Sequence, residues 1–343
     1  MKKILILLIL PAFLFSSCGN SSSGSSEERI ITVTIPPFAW FVKALAGDDF
    51  KINIMLPPGA DHHIWEPLPA QINALSGSEA LIINGQLGFE HAWMERFRQV
   101  NSEMKILDLS RNIDLIGSGE TDDREYHNHE GRVPEGMRPE GRGSEGMRPE
   151  GVRSEGSPDK DHGAGDKARP DHRYGHDGPD PHYWMSPVAA LVMAEDITDF
   201  LVELNPGESE RYETNLALLK AKITEVDSLV REAVASAPGR TVLIYHPALA
   251  YMGRDYGFEQ ISFEDEGKDP SPARMKELID IARGKEIKII FIQAEYDLRN
   301  AESLSREAGA SLVVINPMNI DWSAAVLEVA EALGSDKELR IKN

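Results

Sequence analysis

A chain of 343 residues with 41% hydrophobic content is long enough to bury two cores of ordinary domain size, which excludes a wholly disordered protein. The formal charge of -20 excludes nucleic acid as a natural partner and leaves cation attraction or plain solubility as the meaning of the acidity. With Cys18 as its single cysteine, the chain cannot form an internal disulfide.

Residues 1–17, MKKILILLILPAFLFSS, place two lysines before an apolar run and small serines after it. The run is shorter than the roughly 20 residues a membrane-spanning helix needs, so it reads as an export signal. A buried N-terminal helix is the competing reading, but the Ser/Gly tract that follows offers nothing to pack it against. Residues 18–28 then read as a flexible tether.

From residue 29 strands and helices alternate. RIITVTI (29–35) reads as a buried strand, PPFAWFVKALAG (36–47) as a helix opened by proline, and INIMLPP (52–58) as a second strand. A helix near 70–75, a strand from Ala80, a helix over 89–100 and the strand KILDLS from Lys105 follow. Between 117 and 180 the pattern fails: EGMRPEG occurs twice in a Gly/Pro/Glu/Arg-rich tract whose few apolar residues cannot offset ordering entropy, so this stretch is expected to be a disordered loop. Its histidines, His127, His129, His162, His172 and His176, read either as weak metal collectors or as incidental residues of a solvated linker.

Order resumes at His182, with a helix over 187–204 and a long one over 208–235, where Leu216, Leu219, Ile223, Val226 and Val230 form one apolar stripe. Then TVLIYH, a helix over 248–256, FEQISF, PARMKELIDIARG, KIIFIQAE, AESLSREAG, SLVVINP and a last helix over 322–333 restore the alternation. The expected fold class is α/β: a lobe over 29–204, a connecting helix over 205–236, and a second lobe over 237–343, each with a parallel sheet. Ligands of such sheets bind at the carboxyl ends of the strands, which predicts a cleft between the lobes.

Three histidines stand in stiff frames: His63 in PPGADHHIWEP, His182 in DPHYWMSP, and His246 followed by Pro247. Taken singly, each reads as a structural or surface histidine. Together, with at least two at strand ends facing one cleft, they suggest a site.

PPGADHHIWEP, NGQLGFEHAW, DPHYWMSP, HPALAYMGRDYGF and EGKDPSPARM, in this order, resemble the successive motifs of the zinc and manganese solute-binding lipoproteins of bacterial ABC transporters. The His-bearing loop and Cys18, placed like the acylated residue of a lipobox although Phe15 departs from the usual leucine, fit the same resemblance. It implies two lobes on a rigid helix, a metal ion between them, a lipid on Cys18, a monomeric chain, and delivery to an ABC permease. It places metal ligands at His63, His182 and His246, with His62 at a position usually held by proline. Manganese-type members carry Glu at the third position, so His246 points to Zn²⁺ over Mn²⁺. The fourth ligand is usually Asp; this chain has Asn316 there, leaving the amide, a water, or an acid such as Asp321 as alternatives. Glu66, Trp65, Tyr183 and Trp184 are assigned to outer contacts or packing.

The reading is thus an extracytoplasmic binding protein, not an enzyme. A zinc hydrolase with three His and an open water position is the alternative; no HExxH helix accompanies the ligands. An adhesin role has no independent support in the residues.

Overall fold

The computed structural model describes residues 28–117, 178–264 and 269–334. The readings of an export signal, of Cys18, of the tether up to residue 27 and of the loop over 118–177 with its five histidines fall outside the described residues.

The N-terminal half contains β1 (Ile30–Val33), α1 (Pro36–Ala46), β2 (Lys51–Ile54), α2 (Pro69–Ser76), β3 (Ala80–Ile83), α3 (Gly88–Val100) and β4 (Lys105–Asp108). Its sheet is parallel in the order β2-β1-β3-β4. After α4 (Pro187–Leu204) and α5 (Ser209–Ser236) come β5 (Thr241–Ile244), α6 (Ala250–Tyr256), β6 (Glu259–Ser262), α7 (Pro272–Gly284), β7 (Ile289–Gln293), α8 (Leu298–Ala308), β8 (Ser311–Ile315) and α9 (Trp322–Gly334). The second sheet, β6-β5-β7-β8, repeats the first: a central strand pairs with the next in sequence on one side and with the third on the other. Each half is therefore a parallel α/β unit, as expected.

Local chemistry explains the boundaries. Proline occupies the first turn of α1, α2, α4 and α7, where its missing N–H costs nothing. Ser186 caps α4 by accepting the Val188 N–H, and Ser271 caps α7 by accepting that of Arg274. Gly85, at φ +87°, is required: a Cβ there would stand 2.0 Å from Asp108 Oδ1.

Helix α5 joins the halves and buries Tyr212, Leu219, Ile223, Val226, Val230 and Val234 along one stripe. Four of these six belong to the stripe read from sequence, and Tyr212 and Val234 extend it at its two ends; Leu216 is only half-buried. The second sheet divides its side chains by strict alternation. Val242, Ile244, Ile289 and Phe291 face the core shared with α5 and the first half. Leu243, Tyr245, Ile290 and Ile292 face a separate core under α7 and α8.

The lobe boundary expected at 237 assigns the last helix to the second lobe; α9 follows β8 there and also packs against the first half. Trp322 is fully buried with its ring centroid 5.3 Å from that of Trp40 and 5.5 Å from that of Phe41, both on α1. Val326, Val329 and Leu333 follow it into the same core. The chain therefore recrosses, so that α5 and α9 both bridge the halves. Among the described residues no helix is long and apolar enough to cross a membrane.

Candidate metal centre

Both sheets direct their carboxyl ends toward the same place. Beyond β2 the chain continues the ladder through Met55 N–H to Val33 O and Leu56 N–H to Thr34 O, then turns at Pro57, Pro58 and Gly59. Asp61 closes that turn. Its Oδ1 accepts the His63 N–H at 2.9 Å, and its carbonyl accepts those of Ile64 and Trp65. This compact turn lets two successive side chains, His62 and His63, face the same side, with ring centroids 4.0 Å apart.

His182 begins a short 3₁₀ turn, His182–Met185. Asp180 Oδ1 accepts both its backbone N–H at 2.7 Å and its Nδ1–H at 2.8 Å. The flanking residues are fastened to β3's end, where Asn84 Nδ2 donates to Pro181 O and the Tyr183 hydroxyl donates to Asn84 O. Asn84 is itself held by Glu90 in α3, whose carboxylate accepts the N–H groups of Asn84 and Gly85 at 2.8 and 2.6 Å. Burial pushes the Glu90 carboxyl up to about 7 against the stabilising effect of those bonds.

His246 lies two residues past β5. Gln293 at the end of β7 brackets its backbone, accepting its N–H and donating Nε2–H to its carbonyl at 2.6 Å. Its Nδ1–H donates to Glu264 Oε1 at 2.8 Å.

The four rings converge through Nε2. His62 and His182 are separated by 3.0 Å, His182 and His246 by 3.1 Å, and His63 and His246 by 2.7 Å. All four candidate ligand atoms lie within 4.8 Å of one another. His62, His182 and His246 are each 2% exposed, and His63 forms the less buried side. With Nδ1–H committed to carboxylates, the neutral tautomers of His182 and His246 both turn lone pairs inward. Facing lone pairs at such distances repel unless a cation lies between them. A zinc ion bonded at about 2.0–2.1 Å to four tetrahedral nitrogens would hold them about 3.3 Å apart, wider than these three separations and inside the 4.8 Å that spans the four atoms.

The cluster brings together His63, His182 and His246, the three histidines singled out in the sequence, and adds His62, placed there at a position usually held by proline. The HH doublet was the available signal. What it lacked was the direction of the turn. Asn316 stands apart: it is exposed, and its Oδ1 accepts the Met318 N–H at 3.1 Å. Asp321 caps α9 by accepting from Ser323 Oγ and Ala324 N–H, and it is not part of the cluster of candidate ligand atoms. Both residues flank the tight turn after β8, which is pinned where Trp184 Nε1–H donates to Pro317 O. Glu66 is exposed, whereas Trp65 packs edge-on against Phe89 at 5.0 Å. Tyr183 and Trp184 are fully buried beneath the rings, with Trp184 5.2 Å from His182 between centroids.

Fold and site together define a two-lobe α/β protein with a largely buried cluster of four histidines that suits a divalent cation. Residues 31–326 match the family model for the zinc-uptake complex component A, periplasmic, and the chain belongs to that family. It is 25% identical over 325 residues to the zinc-binding lipoprotein AdcA of Streptococcus pneumoniae, covering 93% of this chain but only 56% of that protein. It is 24% identical over 323 residues to the high-affinity zinc uptake system protein ZnuA of Bacillus subtilis, covering 91% of this chain and 88% of the relative. A crystal structure of ZnuA superposes with a TM-score of 0.70 at 27% identity, over 90% of this chain and 98% of the other.

Proposed function

We propose that this protein captures Zn²⁺ outside the cytoplasm as cargo and delivers it to an ABC permease, tethered to a membrane through lipid on Cys18. One observation carries the reading: four imidazole nitrogens converge, with two of the rings oriented by carboxylates from behind. His62, His63, His182 and His246 are the proposed ligands. Family membership and the names of the relatives support a zinc transport role.

Neutral nitrogen donors suit Zn²⁺ better than Mn²⁺, whose preference is for oxygen, and the general affinity order favours zinc as well. Asp180 and Glu264 supply negative charge to the ion through the rings without becoming ligands. The hydrolase alternative needs an open position for water, and four imidazoles fill a tetrahedral shell. Competition titration of the metal-free protein with Zn²⁺ and Mn²⁺ tests the reading. One tightly held zinc per chain, displaced poorly by manganese, is expected; comparable affinities would overturn the assignment.

A further inference from the structure

His182 comes from the N-terminal half and His246 from the C-terminal half, yet both must meet one ion. The residue that joins their supports is Tyr251, five positions beyond His246 on α6 and fully buried. Its hydroxyl donates to the Asp180 carbonyl at 2.7 Å and accepts the Ile116 N–H at 3.0 Å. Those two segments also bond directly, Asp180 N–H to Ile116 O at 2.8 Å. Asp180 in turn holds both nitrogens of His182 that do not face the cluster, the backbone N and Nδ1. The Tyr251 ring stands edge-on to Tyr183, with centroids 6.2 Å apart, and beneath the Arg254 guanidinium.

We propose that Tyr251 is a positioning residue for metal binding: from the C-terminal half it fixes Asp180, and through Asp180 it sets the His182 ring against His246. A phenol at this place is well suited to the task. It is one of the few side chains that can donate and accept at once from a rigid stem, and here each bond meets a backbone group with no freedom to follow a displaced ring. Packing alone would be satisfied by phenylalanine. Without the hydroxyl, the Asp180 carbonyl and the Ile116 N–H lose a partner in a half-buried setting, and the segment carrying Asp180 shifts or loosens. The cost then falls on the orientation of His182, the currency in which outer partners of metal-bound histidines act.

The inference rests on the metal site proposed above, and the experiment separates the two. Wild-type protein, Tyr251→Phe and His182→Ala are titrated with Zn²⁺ against a chelator and with Co²⁺, whose visible absorption reports coordination geometry. If wild type and His182→Ala bind zinc alike, the metal site itself is wrong. If wild type binds and His182→Ala does not, Tyr251→Phe is expected to weaken zinc binding about 10–100-fold, the range for outer partners of metal ligands, with an altered Co²⁺ spectrum. Wild-type affinity and spectrum in Tyr251→Phe would overturn the proposal, whatever happens to its melting temperature. Amide exchange in the wild type provides a second reading that needs no variant. Zinc should slow exchange at Ile116, because coupling between sites is reciprocal. An unchanged rate there, with slowed exchange at Asp180 and His182, would overturn it too.

Discussion

His63 Nε2 and His246 Nε2 stand 2.7 Å apart although 183 residues separate them and different lobes carry them. Each ring reaches the contact from a turn just past the carboxyl end of a parallel strand, β2 on one side and β5 on the other. The cluster is therefore a joint between lobes, and removing a ring from either side should be felt as lost metal affinity before it is felt as lost fold.

Replacing His246 by alanine is expected to abolish tight zinc binding. It removes the nitrogen that lies within 3.1 Å of two others and leaves Glu264, whose side chain is 7% exposed, without its imidazole partner. A chelator competition checks this. Affinity equal to wild type would remove His246 from the ligand set.

His62→Ala discriminates a four-nitrogen site from the three-histidine arrangement. The variant should still bind zinc through His63, His182 and His246 with water in the vacated position, but about tenfold or more weakly, at least the loss seen when an outer partner is removed. Calorimetry reads the change. Undiminished affinity would make His62, despite its 2% exposure, a packing residue.

Asn316→Asp should leave zinc affinity within about twofold. The family's usual carboxylate would be restored in name, yet the side chain at this position is turned onto the Met318 N–H and exposed, where a solvated charge adds little. A marked gain in affinity would show that the turn after β8 rearranges to bring residue 316 onto the ion.

Glu90 gives a pH signature. Its pKa is raised from 4.5 to about 7 by burial, so the folded protein holds this proton more firmly than the unfolded chain. That stabilising contribution is complete below the unfolded value and disappears as pH rises through about 7, on the order of 3 kcal/mol in all. Glu90→Gln cannot titrate. Unfolding of the metal-free proteins should therefore show wild type losing ground to the variant as pH increases across that window. A gap independent of pH would count against the buried acid.

Most of the fold and three of the four proposed ligands were legible in the sequence, because they depend on local rules. Alternating strand and helix patterns specified parallel α/β halves, the apolar stripe marked α5, and proline frames marked His63, His182 and His246. Other features depend on directions and distances that no local rule carries. His62 joins the cluster because Asp61 closes a turn that aims two neighbours the same way, whereas an extended chain would have sent them to opposite faces. Glu264 lies 18 residues from the imidazole it orients, across a sheet register that must form first. Trp322 looks from its position like part of the second lobe alone, and only its burial against Trp40 and Phe41 shows that α9 also packs on the first. Asn316 has the family's place in the chain, but its side chain is exposed and accepts the Met318 N–H, in a turn that Trp184 holds at Pro317. Sequence order specifies which elements form, while the meeting of side chains from separate elements is decided by packing, since burial energy selects the arrangement as a whole.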